Sequence, residues 1–268
     1  MERIKRLRNP GSTSGGFGAP LAIFLSAVVY FGFLYFNGIL GPSVPGIVVQ
    51  ADIAVDSFLT SLRTPISVRL FSIVTAFGYW GVIFVLAATL SIILWLHQIS
   101  RYIVGLWIGL VGNELSFNLL KVIFARPRPL SAYFIESSFS FPSGHAASSE
   151  FLFGYLIYLL VRERILHFGT AFAAGIVPIL LIGASRLVLG EHFLSDVLNG
   201  YLVGGLWALF AIWFAERRPV VKMVPQPLPR WRRIAKFSVV TVAAVVVWLL
   251  VSRYQANLVA MSLATVGQ

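Results

Sequence analysis

The residues of this chain that could do chemistry fall in three short clusters between Lys121 and Asp196. The first is Lys121-Val-Ile-Phe-Ala-Arg126-Pro127-Arg128-Pro129, the second Pro142-Ser143-Gly144-His145, and the third Ser185-Arg186 followed by His192 and Asp196. Lys121, Arg128 and Arg186 supply a compact charge and two planar forks, the donors that suit phosphate oxygens. Ser143 reads as an N-cap, and Gly144 lets backbone approach a ligand closely, so the helix start after Pro142 offers N–H groups to an anion. His145, on the first turn of that helix, is placed to protonate a leaving oxygen as a general acid. His192 and Asp196 are four residues apart and are expected one above the other on a helix face. A carboxylate bonded to one ring nitrogen fixes the tautomer and frees the other nitrogen as a nucleophile. A histidine beside a carboxylate can equally serve a metal. Here a divalent ion would have to share the pocket with Lys121, Arg128 and Arg186, so no metal or other cofactor is expected.

These clusters sit between long apolar runs. Of the 268 residues, 58% are hydrophobic and only 12% charged, where a soluble domain carries about 25% charged residues. Mean hydropathy is +0.85. The expected fold is therefore all-α, a polytopic transmembrane helix bundle. Spans are expected at Leu21–Leu40, Phe71–Leu96, Tyr102–Phe124, Ala146–Val161, Thr170–Leu189 and Val197–Phe214, each near the ~20 apolar residues a crossing needs. Phe237–Ser252 is a shorter seventh candidate that spans only if Lys236 and Arg253 snorkel. Residues 47–63 differ: Val48, Ala51, Val55, Phe58, Leu59 and Leu62 share one helical face, with Asp52, Asp56, Thr60 and Arg63 opposite. That pattern predicts an amphipathic helix lying in the membrane interface, a surface cover for the bundle or a gate for substrate. The chain thus divides into a tail at 1–20, a membrane core at 21–216, a basic Pro-rich linker at 217–236 and an extra helix with its tail at 237–268.

The net charge of +11 could suggest nucleic acid, but the cations flank apolar spans, as membrane topology requires. With the N-terminus cytoplasmic, most of the 21 Lys and Arg fall inside, leaving Arg63, Arg69, Lys121, Arg126, Arg128, Arg186 and Arg253 outside. All three clusters then lie on the extracytoplasmic face. His97 and His167 fall at the cytoplasmic ends and read as ordinary interface residues. The absence of cysteine excludes disulfides and thiolate metal sites.

The pattern Lys-x6-Arg-Pro, Pro-Ser-Gly-His, Ser-Arg-x5-His-x3-Asp resembles the type 2 phosphatidic acid phosphatase superfamily, which includes membrane lipid phosphate phosphatases and, more distantly, soluble vanadium haloperoxidases. The resemblance implies a six-helix core, a phosphohistidine intermediate and no metal requirement. It casts His192 as nucleophile, Asp196 as its orienting carboxylate and His145 as the acid, with Lys121, Arg128, Ser143, Gly144 and Arg186 binding phosphate. Arg126 and Glu191 lie within the motif spans at positions to which no role carries over. Bacterial members of this size act in the inner membrane on undecaprenyl pyrophosphate, phosphatidylglycerophosphate, phosphatidic acid or lipid A. The expected partners are thus a lipid phosphate and the surrounding membrane lipids, with no nucleic acid. A lipid phosphotransferase is the alternative within enzymes, and a non-catalytic lipid-binding or transport bundle the alternative outside them. Intact His145, His192 and Asp196 argue against the latter, since binding alone would need only the cations. Outside the motifs, Glu114 and Asn118 form a polar stripe with Lys121 on one helical face. They read either as a helix–helix hydrogen bond or as pocket lining beneath the phosphate.

Overall fold

The structure is a computed structural model that describes residues 18–36, 46–134, 136–217 and 229–266. The described residues form nine α-helices and no strand: α1 (Gly18–Phe36), α2 (Ile47–Ser61), α3 (Pro65–Ala76), α4 (Trp80–Leu96), α5 (Arg101–Phe124), α6 (Gly144–Arg162), α7 (Phe168–Val188), α8 (Leu194–Glu216) and α9 (Arg230–Val266). Among them α5, α7, α8 and α9 are each long and apolar enough to cross a membrane. The protein is an integral membrane bundle, as its composition requires. The expected N-terminal tail, the end of the first span after Phe36 and most of the basic linker lie outside the described residues.

At the centre stands α6, packed against α5, α7 and α8. Its first half carries Ser148, Ser149 and Glu150, so it needs protein rather than lipid around it. The α6–α8 contact is close because α8 has small residues there. A Cβ on Gly204 would lie 2.2 Å from the Ala147 carbonyl oxygen of α6, an approach only glycine permits. Below this contact, Leu106, Leu110, Phe151, Leu152, Tyr155 and Ala211 fill a dry core between α5, α6 and α8. The chain direction alternates, so the C-terminal ends of α5 and α7 meet the N-terminal ends of α6 and α8. All three motif clusters gather at that one end of the bundle.

Two elements differ from expectation. The span predicted at Phe71–Leu96 is broken: α3 and α4 meet at a bend of 44°, with Tyr79 extended between them. Thr64 and Ser67 close a capping box on α3, with Pro65 at its first position, so the chain restarts a helix there rather than continuing one. The C-terminal helix is longer than predicted at both ends, running 37 residues. It packs along α4 and α3, and Leu258 is buried against Val68, Phe134 and Leu189. Helix α2 forms where the amphipathic helix was expected. Its polar face points into the protein, with Asp52 buried, while Ile47, Ile53, Phe58 and Leu62 are exposed. An apolar face of this kind suits lipid, while the carboxyl groups find their partners inside the protein.

Candidate active site

A cavity of about 280 Å³ opens at the motif end of the bundle, lined by His192 and His145, Lys121 and Arg128, Gly144, Glu114 and Asn118, together with Glu136, Ser138, Ser148 and the ring of Phe117. Seven of the ten residues singled out in the sequence therefore share one wall. The other three, Ser143, Arg186 and Asp196, are buried just behind it.

Several of these side chains are placed by helix ends. Lys121 is in the last turn of α5 and donates from Nζ to the Phe139 carbonyl. The helix then stops at Ala125, a left-handed residue (φ 43°) whose N–H bonds the Lys121 carbonyl, and the turn sends Arg126 inward. Ser143 caps α6, accepting from the Ala146 N–H at 3.4 Å. Gly144 faces the Phe117 ring, which a Cβ would meet at 2.9 Å. In the first turn of α6, the His145 Nε2 is buried and has no hydrogen-bond partner. A polar atom left in that state costs free energy unless a ligand completes it.

His192 is not on a helix with Asp196, as the spacing had suggested. It precedes α8, whose first residue is Leu194, and Asp196 sits at the third helical position, accepting from the Phe193 N–H at 2.9 Å. The ring is still brought to the carboxylate, with Nδ1 3.6 Å from Asp196 Oδ2, too long for a direct hydrogen bond. Ser140 fills the gap: its hydroxyl is 3.5 Å from His192 Nδ1 and donates to Asp196 Oδ2. On the other side of the ring, Nε2 lies 3.3 Å from Arg128 Nη1. Burial, followed by the charges of Arg128, Arg186 and Lys121, holds the His192 pKa well below its ordinary value. The ring is accordingly neutral at neutral pH, with a lone pair to give.

Arg128 donates to the Glu191 carbonyl at 2.7 Å, the Ser138 carbonyl at 2.9 Å and the Ser138 hydroxyl at 2.8 Å. Arg186 is 1% exposed and donates to Thr75 Oγ1 at 2.9 Å, while its Nε has no partner. Between the two guanidinium groups lies Glu136, a residue the motifs did not mark. Its carboxylate accepts from Arg128 Nη2 at 2.6 Å and from Arg186 Nη2 at 2.7 Å. Burial would raise its pKa, but Arg186 and Arg128 together hold it well below the carboxylate range. Glu191, also buried, accepts from the Phe134 N–H at 2.9 Å. There burial prevails over Arg186, and its pKa is raised.

Behind Asp196 is a second arrangement that sequence reasoning missed. Arg126 forks between two carboxylates, donating to Asp196 Oδ1 at 2.6 Å and to Asp52 Oδ2 at 2.8 Å. Asp52, from α2, also accepts from the Ser195 N–H at 2.9 Å and the Ser195 hydroxyl at 2.6 Å. Arg126 was visible as an extra cation in the first motif, and Asp52 as an acidic residue on an amphipathic helix. Their meeting required knowing which face of α2 turns inward. Tyr254 of α9 also reaches this region, its ring 6.3 Å from that of His145 and 5.1 Å from that of Tyr79. On α5, Glu114 Oε1 accepts from Ser148 of α6 at 2.8 Å, and the Asn118 amide donates to the Glu114 carbonyl at 2.8 Å. The stripe is thus both a helix–helix contact and cavity lining. Among the described residues no group of three His, Asp or Glu is arranged to hold a metal ion.

A neutral histidine, a second histidine and two cations, Lys121 and Arg128, thus share one cavity at the end of the helix bundle. Residues 102–219 match the model of the PAP2 superfamily. It is 35% identical over 121 residues to phosphatidylglycerophosphatase B of Bacillus subtilis, covering 41% of this chain and 60% of the relative. A lipid A 1-phosphatase of Rhizobium etli is 29% identical over 146 residues, covering 48% of this chain and 60% of that protein. The chain thus spans about 60% of the length of these relatives. The crystal structure of a transmembrane PAP2-type phosphatidylglycerolphosphate phosphatase from Bacillus subtilis superposes with a TM-score of 0.61 at 25% identity, over 76% of this chain and 98% of that one.

Proposed function

We propose that the protein is a phosphatase that removes phosphate from a membrane lipid through a phosphohistidine on His192. The observation that carries the reading is that His192 and His145 line one cavity beside Lys121 and Arg128, with the His145 Nε2 unpartnered. The substrate phosphate takes the place that the Glu136 carboxylate holds between Arg128 and Arg186, where two guanidinium groups already present donors to paired oxygens. His192 Nε2 attacks phosphorus, the bond to the leaving oxygen breaks, and His145 gives that oxygen its proton. Water then attacks the phosphohistidine, His145 takes a proton from the water, and free phosphate leaves with His192 restored. Lys121, Arg128 and Arg186, with the N–H groups at Gly144 and His145, stabilise the charge on the transferring group. Asp196, fixed by Arg126, Ser140 and the Phe193 N–H, holds His192 in place.

The cations lie at helix ends, at headgroup depth, and the relatives named above include enzymes for lipid phosphates. A lipid is held at that depth by the ~0.8 kcal/mol that each CH₂ costs in water. The distribution of Lys and Arg supports an extracytoplasmic site and a cytoplasmic N-terminus, and the charge-lined cavity supports catalysis without a metal. The test is phosphate release by the purified chain in detergent from long-chain lipid phosphates and their water-soluble headgroup analogues, with EDTA as a control. Equal specificity constants for lipid and analogue would refute the lipid assignment. Loss of turnover in EDTA would refute metal independence.

A further inference from the structure

The cavity has two chemically different ends, and phosphate binding uses only one. Lys121 and Arg128 make the outer end cationic. The inner end is lined by Glu114 and Asn118, from the same face of α5. Glu114 is seven residues before Lys121, about 10 Å deeper along the helix. A carboxyl group at that depth in a membrane helix is costly and marks a site. Its Oε1 is held by the Ser148 hydroxyl at 2.8 Å, and no cation pairs with it among the described residues. Asn118 spends its amide donor on the Glu114 carbonyl at 2.8 Å, which leaves its side-chain oxygen as an acceptor. Water occupies about 30 Å³ in the liquid, so a cavity of about 280 Å³ holds a phosphate and several further headgroup atoms.

A ligand that fits such a cavity carries an anion at one end and hydrogen-bond donors at the other. We propose that Glu114 and Asn118 form a headgroup-reading subsite. It makes the substrate a lipid phosphomonoester with a hydroxyl, amide or amine beside the phosphate ester, in preference to a lipid diphosphate. The inference rests on the phosphatase reading above. A diphosphate sets a second group of acceptor oxygens against the Glu114 carboxyl and the Asn118 oxygen, leaving acceptors facing acceptors. A neighbouring hydroxyl or amine instead completes the acceptors already present.

The test measures specificity constants for phosphate release by the full chain in one detergent. The substrates are a lysophosphatidic acid, its 2-deoxy analogue of the same chain length, and a polyprenyl diphosphate. Wild type is expected to prefer the hydroxyl-bearing monoester over the deoxy analogue by about 10- to 100-fold, the range for a hydrogen bond to a charged acceptor. Glu114→Ala should bring that ratio to within about threefold of one. Glu114→Gln, which turns an amide donor toward the cavity, should raise turnover of the diphosphate relative to the lysolipid. Asn118→Leu, at an exposed position, should lower the ratio in part and carries the comparison if Glu114→Ala does not fold. A wild-type ratio near one, or a ratio unchanged in Glu114→Ala or Asn118→Leu, overturns the subsite while leaving a phosphatase. Release from none of the three substrates overturns both.

Discussion

Replacing Asp52 with alanine should cripple the proposed activity from a helix that forms no part of the cavity. Arg126 is 5% exposed and shared between Asp52, 1% exposed, and Asp196, fully buried. Removing Asp52 strands one fork of the guanidinium and also takes away the acceptor of the Ser195 N–H and hydroxyl. Removing one partner of a buried ion pair typically destabilises by about 3–5 kcal/mol, because the remaining charge stays buried. The catalytic effect follows from where Arg126 is anchored. Freed on one side, it moves with Asp196 and so displaces His192, and a misplacement of about 1 Å costs on the order of 10²-fold in rate. Lys121, Arg128 and Arg186 make no contact with Asp52, so KM should change only a few-fold. The assay pairs denaturant unfolding in detergent with steady-state phosphate release, and adds Arg126→Ala and the double variant to close a cycle. The expected coupling between the two sites is about 1–3 kcal/mol. Additive effects, or a folded Asp52→Ala with native kcat, would refute the claim that α2 holds the nucleophile in place.

Three other perturbations read separate parts of the site. Glu136→Gln removes the carboxylate that competes for Arg128 and Arg186, so orthovanadate should inhibit about tenfold more tightly, one charge-assisted hydrogen bond's worth; weaker inhibition would mean that Glu136 organises the arginines instead. His145→Ala should lose about 10²–10⁴-fold in kcat with a basic alkoxide leaving group and much less with a phenolate, and a uniform loss would remove its role as acid. For topology, a cysteine at Leu130, which is fully exposed, should react with an impermeant thiol reagent in intact cells, and one at Ser100 only after permeabilisation; the reverse pattern would place the site in the cytoplasm.

The parts of the site that could be read in the sequence are those set by local rules. Ser143 is a helix cap, Lys121 a last-turn cation, and Gly144 a close-approach residue, and each follows from its few neighbours in the chain. The spans at α5, α7, α8 and α9 were readable for the same reason, since hydropathy over ~20 residues reports burial in lipid. What escaped depends on which surfaces meet. The amphipathic pattern of α2 was readable, but not which partner its polar face meets, and in the fold Asp52 turns inward to Arg126. Glu136 and Ser140 lie in an irregular segment between α5 and α6, where no periodicity marks them, and only the folded loop places them between Arg128 and Arg186 or between His192 and Asp196. The contact of Tyr254 with the ring of His145 depends on α9 lying along α3 and α4, which no local pattern encodes.

The central claim is that His192 carries the phosphoryl group. Rapid acid-free quenching of the full chain during turnover of a radiolabelled lipid phosphate, followed by mass spectrometry, measures this directly. A phosphoramidate on His192, labile to acid and stable to alkali, is expected in wild type. It should accumulate further in His145→Ala when the leaving group is a phenolate, because the water step then lacks its base, and it should be missing in His192→Ala along with turnover. A phosphorylated residue other than His192, or near-native phosphate release by His192→Ala, would contradict the account.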